Sequence, residues 1–213
     1  MSQPSPPKQS RSERTQERLL RAAERLILEK GLADASVPEI ARRAGSSVGG
    51  FYARFPDKGA LLRALEERFF DEMLARVAKL ADAGRWGAAS IAAIAHACAN
   101  ELVSVFRERR NLIAAFLHSA SADSEMLAEA IRFRAATAER IGALLLPRRH
   151  ELRHPEPRLA IDLGVQFAFA LMLQLVVVGE VRAGGRVLGD RELVAEITRN
   201  FLSYIGAPTG DPP

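Results

Sequence analysis

Ser36-Val37-Pro38-Glu39-Ile40-Ala41-Arg42-Arg43-Ala44-Gly45-Ser46-Ser47-Val48-Gly49-Gly50-Phe51-Tyr52-Ala53-Arg54-Phe55-Pro56-Asp57-Lys58 is the stretch that decides the fold. Its first half predicts a helix from about Val37 to Ala44. Ser36 and Glu39 have the spacing of a capping box, in which each side chain satisfies a backbone N–H left free at the helix start. Val37, Ile40, Ala41 and Ala44 recur at helical spacing and form one apolar face. Gly45 stands where a left-handed residue ends a helix without steric cost. Ser47 is placed to cap a second helix, with Val48, Phe51 and Phe55 inward and Ser46, Ser47, Gly49, Gly50, Tyr52 and Arg54 outward. Val48 is also a candidate for an outward apolar contact, since its direction is not fixed by the pattern. Two short helices joined by a Gly-containing turn make a helix-turn-helix, the motif whose second helix fits a DNA major groove.

The segment resembles the DNA-binding domain of the TetR family of bacterial transcriptional regulators. The likeness rests on Ser36-Val37-Pro38-Glu39-Ile40-Ala41, then Ala44-Gly45-Ser46-Ser47-Val48-Gly49-Gly50-Phe51-Tyr52-Ala53-Arg54-Phe55-Pro56-Asp57-Lys58-Gly59-Ala60-Leu61. It covers roughly the first third of the chain, and its specificity lies in many positions agreeing in order. Three positions depart from the family pattern. Ser46 replaces an apolar turn residue, Arg54 the usual His or Tyr, and Gly59 an acidic residue.

Outward from this segment the pattern stays helical. Residues 1–10 are rich in Pro, Ser and Gln and predict a disordered arm. A helix from about Ser12 to Lys30 carries Leu19, Leu20, Ala23, Leu26 and Ile27 and stops at Gly31. Asp57 is placed to cap a helix that runs toward Leu80. Further helices are expected over 88–109, 111–118, 123–146, from Pro157 toward Gly184-Gly185, and from a cap at Asp190 to Ile205. No period-2 strand stands out. The fold class is therefore all-α with about nine helices. The expected organisation is an arm at 1–10, a helix-turn-helix domain at 11–56, a larger helical ligand-binding and dimerisation domain at 57–207, and a tail at 208–213.

Charge falls unevenly along the chain. Residues 1–60 hold eleven Lys and Arg against seven Asp and Glu, while the remainder holds nineteen of each. The net charge of +4 thus sits in the segment with the helix-turn-helix, where a phosphate-binding surface is needed. Cys98 is the one cysteine; it excludes an internal disulfide framework and fits a reducing, cytoplasmic setting. Leu163 to Gly179 is strongly apolar but carries Gln166 and Gln174 and is shorter than the roughly 20 residues that span a bilayer. It reads as a buried or subunit-packing helix, with no membrane partner.

By the resemblance and by side-chain chemistry, the DNA-contacting set is Ser36, Arg42, Arg43, Ser46, Ser47, Val48, Gly49, Gly50, Tyr52, Arg54 and Lys58. Ser47, Gly49 and Gly50 suit close approach to base edges; Tyr52, Arg54 and Lys58 suit phosphates. For Arg42 and Arg43 a solvated face is an equal reading, and Arg11 and Arg14 extend the set into the arm. In the C-terminal part, Phe106, Phe116, Phe133 and Phe169 offer apolar walls, and His96, His118, Arg134 and Gln166 offer polar groups. The resemblance implies a ligand cavity among them. Phe167, Leu171, Gln174 and Val178 form one stripe with Leu163, and Ile197 and Phe201 another with Val194 and Tyr204. Both predict dimer contacts in a four-helix bundle.

Together these imply a homodimeric regulator, a repressor held on a palindromic double-stranded DNA operator and released by a small apolar or amphipathic effector. Neither cofactor nor metal is implied. His150 and His154 are four apart, but in a Pro-rich charged loop where metal binding is not expected. The alternative is a helical-bundle enzyme or small-molecule-binding protein that uses His96 and His118 in the C-terminal cavity.

Overall fold

The computed structural model describes residues 8–208, with side chains from residue 12 onward. Most of the expected arm and all but Pro208 of the expected tail lie outside the described residues, as does the side chain of Arg11. The helices are α1 (Lys8–Lys30), α2 (Val37–Arg43), α3 (Val48–Tyr52), α4 (Lys58–Leu80), α5 (Ala83–Trp86) and α6 (Ile91–Glu108). They continue with α7 (Arg110–Ala120), α8 (Ser124–Leu145), α9 (Pro157–Val178) and α10 (Asp190–Ile205). Helix α1 already begins at Lys8, inside the stretch expected to be an arm.

The chain divides into two compact units. The first comprises the residues up to Phe69 together with Asn111–Met126; the second comprises Phe70–Arg110 and the chain from Leu127. The first unit therefore takes in the first half of α4 and all of α7 beyond Arg110, more than the 11–56 expected from sequence.

In the first unit, Leu19, Ala22, Ala23, Leu26 and Ile27 of α1 are completely buried, with Ile40 of α2, Phe51 of α3 and Leu61 of α4. The C-terminal end of α1 is tied down by three side chains. Asn111 Nδ2 donates to the Leu28 carbonyl at 2.8 Å, Lys58 Nζ to the Leu32 carbonyl at 2.5 Å, and Arg43 pairs with Glu29 at 2.6 Å. Asn111 thereby satisfies a carbonyl that the helix end leaves free, Lys58 one in the turn that follows, and Arg43 holds the Glu29 carboxylate. Arg68 binds Glu17 and Glu24, and so pins α4 along α1.

The second unit is built on α6, α9 and α10. Ile91, Ile94, Ile161, Val165, Leu202 and Ile205 are among its core residues. The helix expected over 88–109 is α6, and it is preceded by the one-turn α5, which the periodicity did not reveal. Gly87 turns to φ 43°, and the Ser90 hydroxyl starts α6 afresh by accepting from Ala93 N at 3.1 Å. Arg182–Ala183 and Arg186–Val187 pair as a small antiparallel hairpin that the periodicity did not reveal. Gly184 and Gly185, at φ 57° and 78°, supply the two left-handed positions of its turn. Helix α10 is capped at Gly189, whose N–H donates to Glu192 Oε2 at 2.9 Å; Asp190 lies in its first turn and pairs with Arg107 at 2.6 Å.

Helix α9 starts at Pro157 as expected and ends at Val178, before Gly184-Gly185, because Gly179 takes a left-handed conformation at φ 94°. At 22 residues it is long and apolar enough to cross a membrane by length and composition. Here Ala160, Ile161, Val165, Met172, Leu175 and Val176 are buried in the protein, and about a third of its most apolar window is covered.

Candidate nucleic-acid interface

The turn between α2 and α3 is fixed by local chemistry. Ser36 Oγ accepts from Glu39 N at 3.4 Å. The reciprocal half of the expected box is not made: Ser36 N donates to Asp34 O, and the Glu39 carboxylate faces Arg43 at 3.3 Å and Lys30 at 3.5 Å. Lys30 first, then Arg43 and Arg42, hold the Glu39 carboxyl below its usual range. At the other end of α2, Gly45 takes φ 60°. Gly45 N donates to Arg42 O at 3.1 Å and Ser46 N to Ala41 O at 2.9 Å, the paired bonds of a Schellman motif. Ser47 then starts α3 by accepting from Gly50 N at 2.9 Å. Phe51 is fully buried, with Phe55 at a ring-centroid distance of 5.7 Å. Burying one aromatic of this size contributes about 2–3 kcal/mol and orients the whole five-residue helix.

With Phe51 inward, Ser47, Val48, Gly49 and Tyr52 face solvent. Val48, expected among the inward residues, is 41% exposed, and Tyr52 is 53% exposed. Gly50 and Ser46 are half-buried. A Cβ at Gly50 would stand 2.5 Å from Ser46 Oγ, so a side chain there would make the Ser46 hydroxyl turn away. A Cβ at Gly49 would meet only Ser47 Oγ, at 3.9 Å.

The cations differ in how far they are engaged. Arg42 is exposed, with a loose pairing to Glu39 at 3.6 Å. Arg43 is half-buried between Glu29 and Glu39. Arg54 donates to Gly50 O at 2.9 Å and to Ser12 O at 3.4 Å, so its guanidinium links α3 to α1. Burial lowers the pKa of Lys58 from its usual value, and its ammonium is bound to Leu32 O. One of its three N–H donors is used there, and the others remain for a phosphate. These internal contacts of Arg54 and Lys58 span 42 and 26 residues and had no sequence signal.

The expected effector residues are divided between the two units. Phe116 and His118 belong to the first unit, where Phe116 packs on Phe69 at 5.6 Å and His118 is exposed. Phe106, Phe133 and Phe169 do form one cluster in the second unit, with Phe169 at 6.0 Å from each of the others. Phe70, which sequence reasoning missed, completes it by stacking on Phe133 at 4.7 Å. His96 and Arg134 are half-buried in the same unit, while Gln166 is exposed on α9. Among the described residues no cluster of His, Cys, Asp and Glu is placed to hold a metal ion. Burial pushes the Cys98 thiol up to about 11, which disfavours the reactive thiolate.

The two dimer stripes are unequal. Phe167, Gln174 and Val178 on α9 are exposed, Val178 by 62%, and Leu171 is half-buried. Ile197 and Phe201 are instead covered by their own chain, at 6% and 9% exposure. The outer side of α10 is polar, with Glu196, Arg199, Asn200 and Ser203. Of these two stripes, the one that its own chain leaves open is that of α9.

Residues 19–65 match the family described as bacterial regulatory proteins, tetR family. An uncharacterized HTH-type transcriptional regulator of Bacillus subtilis (strain 168), YvdT, is 39% identical over 61 residues. That match spans 29% of this chain and about a third of the relative, 31% of its length. Among solved structures, a transcriptional regulator from Rhodococcus sp. Rha1 superposes with a TM-score of 0.69 at 22% identity, over 92% of this chain and 99% of its own. A tetR-family transcriptional regulator from Streptomyces coelicolor gives 0.67 at 19% identity, over 89% of this chain and 81% of its own. At such identities these structures establish likeness of fold.

Proposed function

We propose that the chain is a member of the tetR family of bacterial regulatory proteins, which its residues 19–65 match, and that it is a homodimeric, cytoplasmic DNA-binding regulator of transcription. The observation that carries this reading is the geometry of α3. A buried Phe51, a Ser47 cap and a Schellman turn fix a short helix whose opposite face, Ser47, Val48, Gly49 and Tyr52, is exposed to solvent. The same sixty residues hold the whole positive excess. Base contacts then come from α3, and phosphate contacts from Arg42, Tyr52 and Lys58, with Ser36 at the start of α2. Arg54 acts first by holding α3 against α1.

Two subunits pair through the exposed stripe of α9, Phe167, Gln174 and Val178, extended by Val177 at 74% exposure. The two-fold axis then sets two α3 helices on a palindrome. The effector is a small apolar molecule that engages the Phe70–Phe133–Phe169–Phe106 cluster. Helix α4 has Phe69 in one unit and Phe70 in the other, so it is the element through which effector binding reaches α3. The effector shifts the equilibrium only by its preference for one of two arrangements, and as a repressor the protein leaves DNA when that preference is met.

The test is gel-shift binding to the DNA that flanks the protein's own gene, with sedimentation of the free protein. A dimer that selects one duplex, with Phe167→Glu giving monomer and loss of binding, supports the reading. A monomer that binds no duplex overturns it.

A further inference from the structure

The exposed face of α3 has one long hydrogen-bonding side chain, Tyr52, and its single hydroxyl cannot make the paired contacts that identify a base. Its solvent-facing positions are Ser47, Val48, Gly49 and Tyr52, while Arg54, just beyond the helix, directs two of its five N–H donors to the carbonyls of Gly50 and Ser12. The side chains that read a base through two hydrogen bonds, Arg on guanine and Asn or Gln on adenine, are missing from it. What it does present is an isopropyl group, 41% exposed, between hydroxyls and bare backbone. Gly49 adds an independent observation. It is helical and has no positive φ, and a Cβ there would make only an ordinary contact with Ser47 Oγ, at 3.9 Å. Alanine would fit and would strengthen the helix, so the fold does not account for this glycine. A surface that must come closer than a Cβ allows does account for it.

We infer that α3 reads its operator through thymine C5-methyl groups, with Val48 against the methyl and Gly49 admitting the base edge to the backbone. This deepens the proposed DNA-binding function and rests on it. The methyl is the one apolar feature by which a major-groove edge differs from its neighbours, and Val48 is the exposed apolar side chain on this helix. The hydroxyls of Ser47 and Tyr52 then add single hydrogen bonds without setting the base by themselves.

The experiment alters the DNA one methyl at a time. Duplexes are selected from a random pool with the full-length chain, and each thymine of the selected site is replaced by deoxyuridine, which removes the methyl and keeps the hydrogen-bonding edge. At one position per half-site the substitution is expected to weaken binding about fourfold, and about fifteenfold when both half-sites are changed. Cytosine at that position should bind worse than 5-methylcytosine, which restores the methyl on a different edge. Val48→Ala should abolish the difference between thymine and deoxyuridine while leaving salt-dependent binding in place. Gly49→Ala should weaken binding in a protein at least as thermally stable as the parent. Sequence-specific binding that is indifferent to deoxyuridine at every position overturns the inference and leaves the DNA-binding function standing. Gly49→Ala that binds as tightly as the parent overturns the close-approach part. Failure to select any duplex overturns the function itself, and the inference with it.

Discussion

Gly164 on α9 lies against the ring of Phe201 on α10: a Cβ at Gly164 would stand 2.6 Å from Cδ2 and 2.8 Å from Cε2 of that ring. The two helices approach this closely because one of them has no side chain at the crossing, and the Phe201 ring fills the space.

Gly164→Val should therefore destabilise the second unit. Overpacking of this kind costs about 1–3 kcal/mol, and the better helix propensity of valine returns only about 0.4 kcal/mol. The midpoint of thermal unfolding should fall, and Phe201→Leu added to it should recover part of the loss, giving a non-zero coupling in the double-mutant cycle. An unchanged midpoint for the single variant would remove this contact from the account.

The cap of α3 offers a second prediction. Ser47 Oγ accepts from Gly50 N at 2.9 Å in a helix of five residues that includes two glycines. Ser47→Ala removes about 1 kcal/mol of capping, so exchange of the Gly50 amide should quicken, while Ser47→Asp, which can still accept, should keep it slow. Equal exchange in all three proteins would show that Phe51 alone holds the helix.

Acid sensitivity follows from the carboxylates. Arg63, then the N–H groups of Met126 and Glu125, hold Asp123 below its usual range, and Lys30 does the same for Glu39. A carboxyl whose folded pKa is lowered contributes stability that is present above its unfolded value and is lost as pH falls through the folded one. The ordinary values are 3.8 for Asp123 and 4.5 for Glu39, so the window opens below about pH 4.5. The urea midpoint should drop between about pH 6 and about pH 3, and Asp123→Asn should narrow that drop by lowering the pH 6 value more than the pH 3 value. A midpoint that does not change with pH would contradict these ion pairs.

Local signals made the helix-turn-helix legible. Ser36, Gly45 and Ser47 act within a few residues of themselves, and each caps or ends a helix as its spacing implied. Periodicity marks an apolar face but not what covers it. Ile197 and Phe201 share a stripe that their own chain buries, whereas Phe167 and Val178 share one it leaves open. The direction of Val48 was ambiguous because a five-residue helix has too few positions to define a face. Phe70 escaped notice because Phe69 beside it has the same chemistry, and only the tertiary arrangement separates their partners, Phe133 and Phe116.

The most direct test of the central claim is the affinity for the selected duplex as a function of salt. Two subunits that each place Arg42 and Lys58 on phosphates should give a slope of log affinity against log salt of about −4, and Lys58→Ala should reduce its magnitude by about 2 per dimer. Binding that is flat in salt, or equal for duplexes of every sequence, would contradict a protein that sets two α3 helices into the major groove of a specific site.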